Sequence, residues 1–141
     1  MSFEREPDWT MIRARAAALS PGAFAFVVEG LRFAVEQVYK ARARGGDVSE
    51  QRGFVIEESR HVTGQQLSVA LKVLAQTRYG MMAGTVLRHW GLRGTADFGA
   101  IVYAMIDRGD MRRSDDDRFE DFVGVYDFDE VFALGAEGAR A

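Results

Sequence analysis

Phe98, Ile101, Val102, Met105 and Ile106 fall at i, i+3, i+4, i+7 and i+8. That spacing lines one side of an α-helix and gives a strand no consistent face. Thr95 ahead of the run is a good N-cap, Asp97 suits the positive end of the helix dipole, and Gly109 stops the helix. Just upstream, Val86, Leu87 and Trp90 mark a shorter helix closed by Gly91. Val86–Ile106 therefore reads as helix, glycine-bounded turn and second helix, a helix-turn-helix outline around which the remaining chain has to pack.

The flanking segments supply further helices. Asp8 can cap a helix through Trp9, Ile12, Ala16 and Leu19. Ser20 can cap the next, with Pro21 at the first helical position, where its missing N–H costs no bond. That helix carries Phe24, Val27, Val28, Leu31, Val35, Val38 and Tyr39 on one face, with Phe26 and Phe33 as a second strip and Gly30 between them. So wide an apolar surface belongs to a central helix or to an interface between copies. Residues 42–52 read as a loop, and Phe54-Val55-Ile56 as a short strand or a core-covering loop. Thr63 and Gln66 form a capping box with Val62 and Leu67 at the staple positions, so a helix runs from there to Tyr79-Gly80. Residues 111–126 turn at Ser114-Asp115-Asp116-Asp117 and alternate well enough around it to suggest a small β-hairpin, the wing of a winged helix. Asp127 and Glu130 form a second capping box, opening a last helix from Phe128 to Leu134.

With 141 residues, 48% of them apolar, the chain can bury a core of its own. It has no cysteine, which excludes a disulfide framework, a thiolate metal site and a cysteine nucleophile. Residues 1–60 balance nine basic against nine acidic side chains; residues 61–113 hold seven against three, and residues 114–141 two against nine. A basic centre beside an acidic tail is not the profile of a nucleic-acid binder as a whole. No apolar run is long enough to span a bilayer and no secretory signal opens the chain, so a cytoplasmic location is expected.

Motifs that carry chemistry are sparse. His61 and His89 lack the pairing of a zinc helix and read as a residue beside a cap and a helix C-terminal residue. Asp115, Asp116, Asp117, Glu120 and Asp121 lack the glycine and spacing of a calcium loop. No serine sits in a nucleophile elbow, and Gly91, Gly94 and Gly99 do not make a nucleotide-binding fingerprint. No cofactor or metal is expected. With the Phe98 stripe inward, the helix would show Ala96, Asp97, Gly99, Ala100, Tyr103, Ala104, Asp107 and Arg108 to solvent. Such a face lacks the residues that read bases and suits packing against protein.

An ordered series of short blocks carries a resemblance. It consists of His61-Val62-Thr63-Gly64-Gln65-Gln66-Leu67, Tyr79-Gly80, Val86-Leu87, Trp90-Gly91, Thr95-x-Asp97-Phe98-Gly99-x-Ile101-Val102, Asp121-Phe122 and Tyr126-Asp127-Phe128. Over roughly Ser20 to Phe132 the series resembles a family of short bacterial proteins of unknown function with a Minf-type, locus-derived name. Gln66 stands where that pattern has Glu, and Met81 where it has Pro. The resemblance implies one domain and brings no activity.

The expectation is a mainly α single-domain helical bundle over 1–141, with a helix-turn-helix core and a small β-hairpin, winged-helix-like. Its ordered core spans about 8–134, and residues 135–141 fray. The expected function is a non-enzymatic interaction module, binding another protein or itself through Phe26, Gly30 and Phe33 or through Gly99, Ala100 and Tyr103. The alternative is a nucleic-acid-binding protein using Arg88, Arg93, Arg112 and Arg113. An enzyme built on His61 or His89 with a nearby carboxylate ranks below both, unless a histidine and an acid converge in a deep pocket.

Overall fold

The computed structural model describes residues 6–44 and 61–132, except for the side chains of residues 39 and 41–44. Helix α1 (Trp9–Ala17) begins where Asp8 accepts the Met11 N–H at 3.1 Å. The chain then turns through 112° into α2 (Pro21–Arg44). Ser20 starts α2 with its carbonyl, which accepts from Ala23 and Phe24. Its hydroxyl does not cap: Oγ is buried without a partner, while the Ser20 N–H donates to the Trp90 carbonyl at 3.1 Å. Residues 42–44, expected in a loop, extend α2 by nearly a turn. The Phe54–Ile56 reading lies outside the described residues, as does the Tyr39 side chain.

Helix α3 (Gly64–Tyr79) has the full capping box: Thr63 N–H donates to Gln66 Oε1 at 2.9 Å, and Gln66 N–H to Thr63 Oγ1 at 3.0 Å. A 3₁₀ turn (Gly80–Met82) leads into α4 (Ala83–His89), whose last carbonyls are met by Trp90, Gly91 and Leu92 N–H groups. Gly91 there has φ +96°, a conformation side chains avoid, with Ala18 and Leu19 closing over it. Helix α5 (Thr95–Asp107) follows. A loop, a 3₁₀ turn (Phe119–Phe122) and the short α6 (Phe128–Val131) complete the described chain.

The architecture is mainly helical, and two further local expectations change. No strand forms among the described residues, so the hairpin is replaced by a loop and a 3₁₀ turn. Phe119 and Phe122, three apart, fall on the same side of a three-residue turn, and both are buried at 8% and 5% exposure. An alternating strand would have sent one of them to solvent. The N-cap of α5 is also Gly94 rather than Thr95. Asp97 Oδ2 accepts from the N–H groups of Arg93 at 2.7 Å and Gly94 at 3.3 Å. Thr95 instead turns inward, donating to the Phe122 carbonyl at 2.6 Å and accepting from Val125 N–H at 3.2 Å.

Helix α5 is the axis of the molecule. Helix α1 packs on one side of it, through Trp9 on Tyr103 and through Arg15, which donates to Asp97 at 3.0 Å. The Phe119–Phe122 turn packs on another side, and α2 and α3 also reach it. Thr95, every residue from Asp97 to Tyr103, and Met105 are buried. Among the described residues no single helix is long and apolar enough to cross a membrane.

Candidate functional site

A cavity of about 390 Å³ opens where the capped start of α3 meets the C-terminal half of α5. Thr63, Gly64 and Leu67 border it from α3, and Val102, Tyr103 and Ile106 from α5. Leu31 of α2 and the loop residues Met111, Arg112 and Arg113 close two further sides, with Asp117, Arg118, Asp121 and Phe122 on the last. The apolar residues come from the inner stripes of the helices. The charged ones come from the loop that follows α5, so the pocket has a greasy floor and a polar mouth.

His61, just ahead of the Thr63 cap, sits at that mouth with Nε2 3.1 Å from Asp117 Oδ1. Asp117 is fixed in turn by the Ser114 N–H, which donates to Oδ2 at 2.9 Å. Asp121 accepts the Arg118 N–H at 3.2 Å. Both carboxylates are thus occupied by donors from their own loop or from His61. Arg112, Arg113 and Arg118 form no ion pair among the described residues.

The most buried polar side chain lining the cavity is Tyr103, 1% exposed, its ring 6.0 Å from Trp9 and 5.7 Å from Phe119. The Arg113 guanidinium lies 5.6 Å from the centre of the same ring. Tyr103 Oη and Arg113 Nη1 are both buried, and neither has a hydrogen-bond partner. Burial pushes the Tyr103 phenol above its ordinary range, against a smaller opposing pull from Arg113, so at neutral pH it stays a donor. Each buried polar atom left without a partner costs about 1–3 kcal/mol. The hydroxyls lining the cavity are those of Tyr103 and of Thr63, whose oxygen serves the α3 cap.

The residues expected to form an outer interaction surface lie elsewhere than expected. Phe26 is 2% exposed and packs on Tyr79 and Trp90, with ring centres 6.5 and 5.6 Å away. Gly30 is buried with the Leu71 side chain where a Cβ would stand. Gly99 faces Phe122, whose ring carbon would lie 2.8 Å from an added Cβ, and Ala100 is fully buried. With Tyr103 buried as well, the small residues of α5 are a packing surface within the chain, because a second layer covers them. Phe33 alone of that set keeps a surface role: it is half-buried in an apolar groove of about 490 Å³ between α2 and α3, with Val38, Val69 and Val73.

Of the four arginines expected to contact nucleic acid, Arg112 and Arg113 line the cavity. Arg88 belongs to α4, and Arg93 to the turn before α5, where its backbone meets Asp97. A helix buried as α5 is cannot enter a DNA groove. His89 is exposed at the end of α4, whereas His61 meets Asp117 across 56 positions. No group of metal-ligating side chains forms among the described residues. Sequence reasoning missed the pairing of His61 with Asp117 and the pairing of Tyr103 with Arg113; neither has a linear spacing that announces it. Comparison with family models, curated proteins and solved structures gives no match.

Proposed function

We propose that this chain is a binding domain that takes a small organic molecule into the cavity between α3 and α5. The observation that carries this reading is the cavity itself, walled by Leu31, Leu67, Val102 and Ile106 and edged by Arg112, Arg118 and the His61–Asp117 pair. The volume, about 390 Å³, lies toward the small end of the roughly 300–1,000 Å³ that ligand pockets span. The test is a two-dimensional amide NMR titration of the full chain with separate sets of small carboxylates, phosphates, amines and alcohols. At least one set should move the amides of Thr63, Val102 and Arg113 together. Ile106→Trp, which fills the cavity, should weaken that binding roughly tenfold or more. If no set moves these amides, the reading fails.

A second reading keeps the interaction module in a narrower form, as self-association through the groove around Phe33. Val69 and Val73 are 44% and 40% exposed there. The polar lining consists of Gln37, Gln65 and Gln66, so two copies meeting face to face would bring no like charges together. The resemblance to the Minf-type family supplies no activity to either reading.

A further inference from the structure

We infer that residues 111–117 form a strap across this cavity, and that the His61–Asp117 contact is the latch that holds the strap shut. The inference concerns access to the site proposed above and rests on that reading for its purpose. Leu67 and Val102 line the cavity, yet they are only 2% and 8% exposed. A molecule therefore reaches the apolar floor only when a wall moves. The walls from α3 and α5 are regular helix, fixed by the same inner stripes that make the core. The wall built from Met111, Arg112, Arg113 and Asp117 belongs to no helix.

The strap has the parts that such a movement needs. Gly109, just ahead of it, has φ +87° and nothing within 4 Å of the place a Cβ would take, so the backbone can pivot there without a clash. Phe119, just beyond it, is buried and fixes the other end. Between them, Ser114 to Asp117 is a self-contained turn. The Asp117 N–H donates to the Ser114 carbonyl at 3.2 Å, and the Ser114 N–H donates back to Asp117 Oδ2. Met111 packs against the core and Arg113 lies over the Tyr103 ring, which hold the inner side of the strap. Among the described residues, the turn itself is tied to another element by one hydrogen bond, His61 Nε2 with Asp117 Oδ1 at 3.1 Å. The imidazole is exposed, and a pair of this kind adds little to global stability. Its loss frees the turn and leaves the helices beneath folded, the mark of local rather than global opening.

The chain has no cysteine, so one introduced thiol reports access without background. Val102→Cys in the full chain is labelled with 4,4′-dithiodipyridine, a neutral disulfide whose released thiopyridone is read by absorbance. Labelling should be far slower than in the urea-unfolded chain, and adding His61→Ala should speed it roughly two- to tenfold, as the loss of one modest hydrogen bond implies. Asp117→Ala should speed it at least as much, and His61→Ala on top of Asp117→Ala no further. Ser68→Cys, fully buried and outside the cavity, should label at an unchanged rate in every background. Hydrogen exchange reads the same event with no cysteine present: in His61→Ala the Ser114 and Asp117 amides should exchange faster, and those of α5 should not. A Val102→Cys rate that His61→Ala leaves unchanged, or that rises equally at Ser68→Cys, overturns the latch. Labelling of Val102→Cys as fast as the unfolded chain overturns the strap as well. Unchanged labelling beside a positive amide titration removes this inference alone; the expected labelling beside a silent titration removes the binding reading alone.

Discussion

Tyr126 places its hydroxyl 2.7 Å from the Ser68 carbonyl and donates to it from a part-buried position. Burial pushes its phenol well above the ordinary range. A phenol whose folded pKa exceeds its unfolded one keeps its proton longer when folded. Its stabilising effect is therefore complete below the unfolded value, about pH 10, and is lost as pH rises toward the folded one. Denaturant midpoints measured from pH 8 to 11 should fall above about pH 10. The fall should be visibly shallower in Tyr126→Phe, which should itself cost about 1 kcal/mol at neutral pH. Equal slopes in the two proteins would exclude this role. Asp97 is the complementary case at the same scale. Its place in the first turn of α5 was legible, since acids favour that position. Its contact with Arg15 was not, because Arg15 arrives from 82 positions away.

Among the elements, α5 changes meaning most between sequence and structure. Its apolar stripe was read correctly, with Phe98, Ile101, Val102 and Met105 all buried. The opposite side, with Gly99, Ala100 and Tyr103, was read as a surface. Small residues permit close approach as readily as they permit exposure, and only the presence of a second layer distinguishes the two. Here α1 and the Phe119–Phe122 turn form that layer. Gly99→Ala tests it. In an exposed helix the change should stabilise by about 1 kcal/mol. An added Cβ would lie 2.8 Å from Phe122 atoms, so urea denaturation should instead show a net loss of about 1–2 kcal/mol. A gain would mean that Phe122 yields freely and that the layer is loosely packed. The caps fared better than the faces. Asp8 and the Thr63–Gln66 box form as read, because the partners lie within one turn. Asp127 caps α6 through Asp129 N–H at 2.8 Å rather than through a full box.

Across the whole molecule, ion pairs join helices that the core already holds together. Arg78 donates to Glu29 at 2.7 and 2.9 Å across α3 and α2, and Arg13 to Asp107 at 2.8 and 3.0 Å across α1 and α5. The hydrogen bonds from these arginines hold both carboxyls below the usual carboxylate range. At such exposed positions they orient the helices more than they stabilise them. The Phe33 groove bears on assembly. If self-association uses it, light scattering should report a dimer that Val73→Glu returns to monomer, with equal melting temperatures once both proteins are diluted to the monomer. A monomer at every concentration up to the millimolar range would remove that reading.

By itself, the sequence determined the helices, where most of them start and stop, and the inward stripes of α3 and α5, whereas on α2 the Phe26–Gly30 side turns inward and Phe24, Val28, Leu31 and Val35 stay half-buried. Those properties depend on residues within one or two turns of each other, so periodicity and capping chemistry suffice to fix them. Only the tertiary structure decided which helix lies at the centre, that residues 111–126 form a loop and a 3₁₀ turn, and that His61, Tyr103, Arg113 and Asp117 border one cavity. These depend on contacts between residues far apart in the chain, and on whether a second layer covers a face. No local spacing encodes either, because the same small and polar residues satisfy a solvent surface and a packed one equally well.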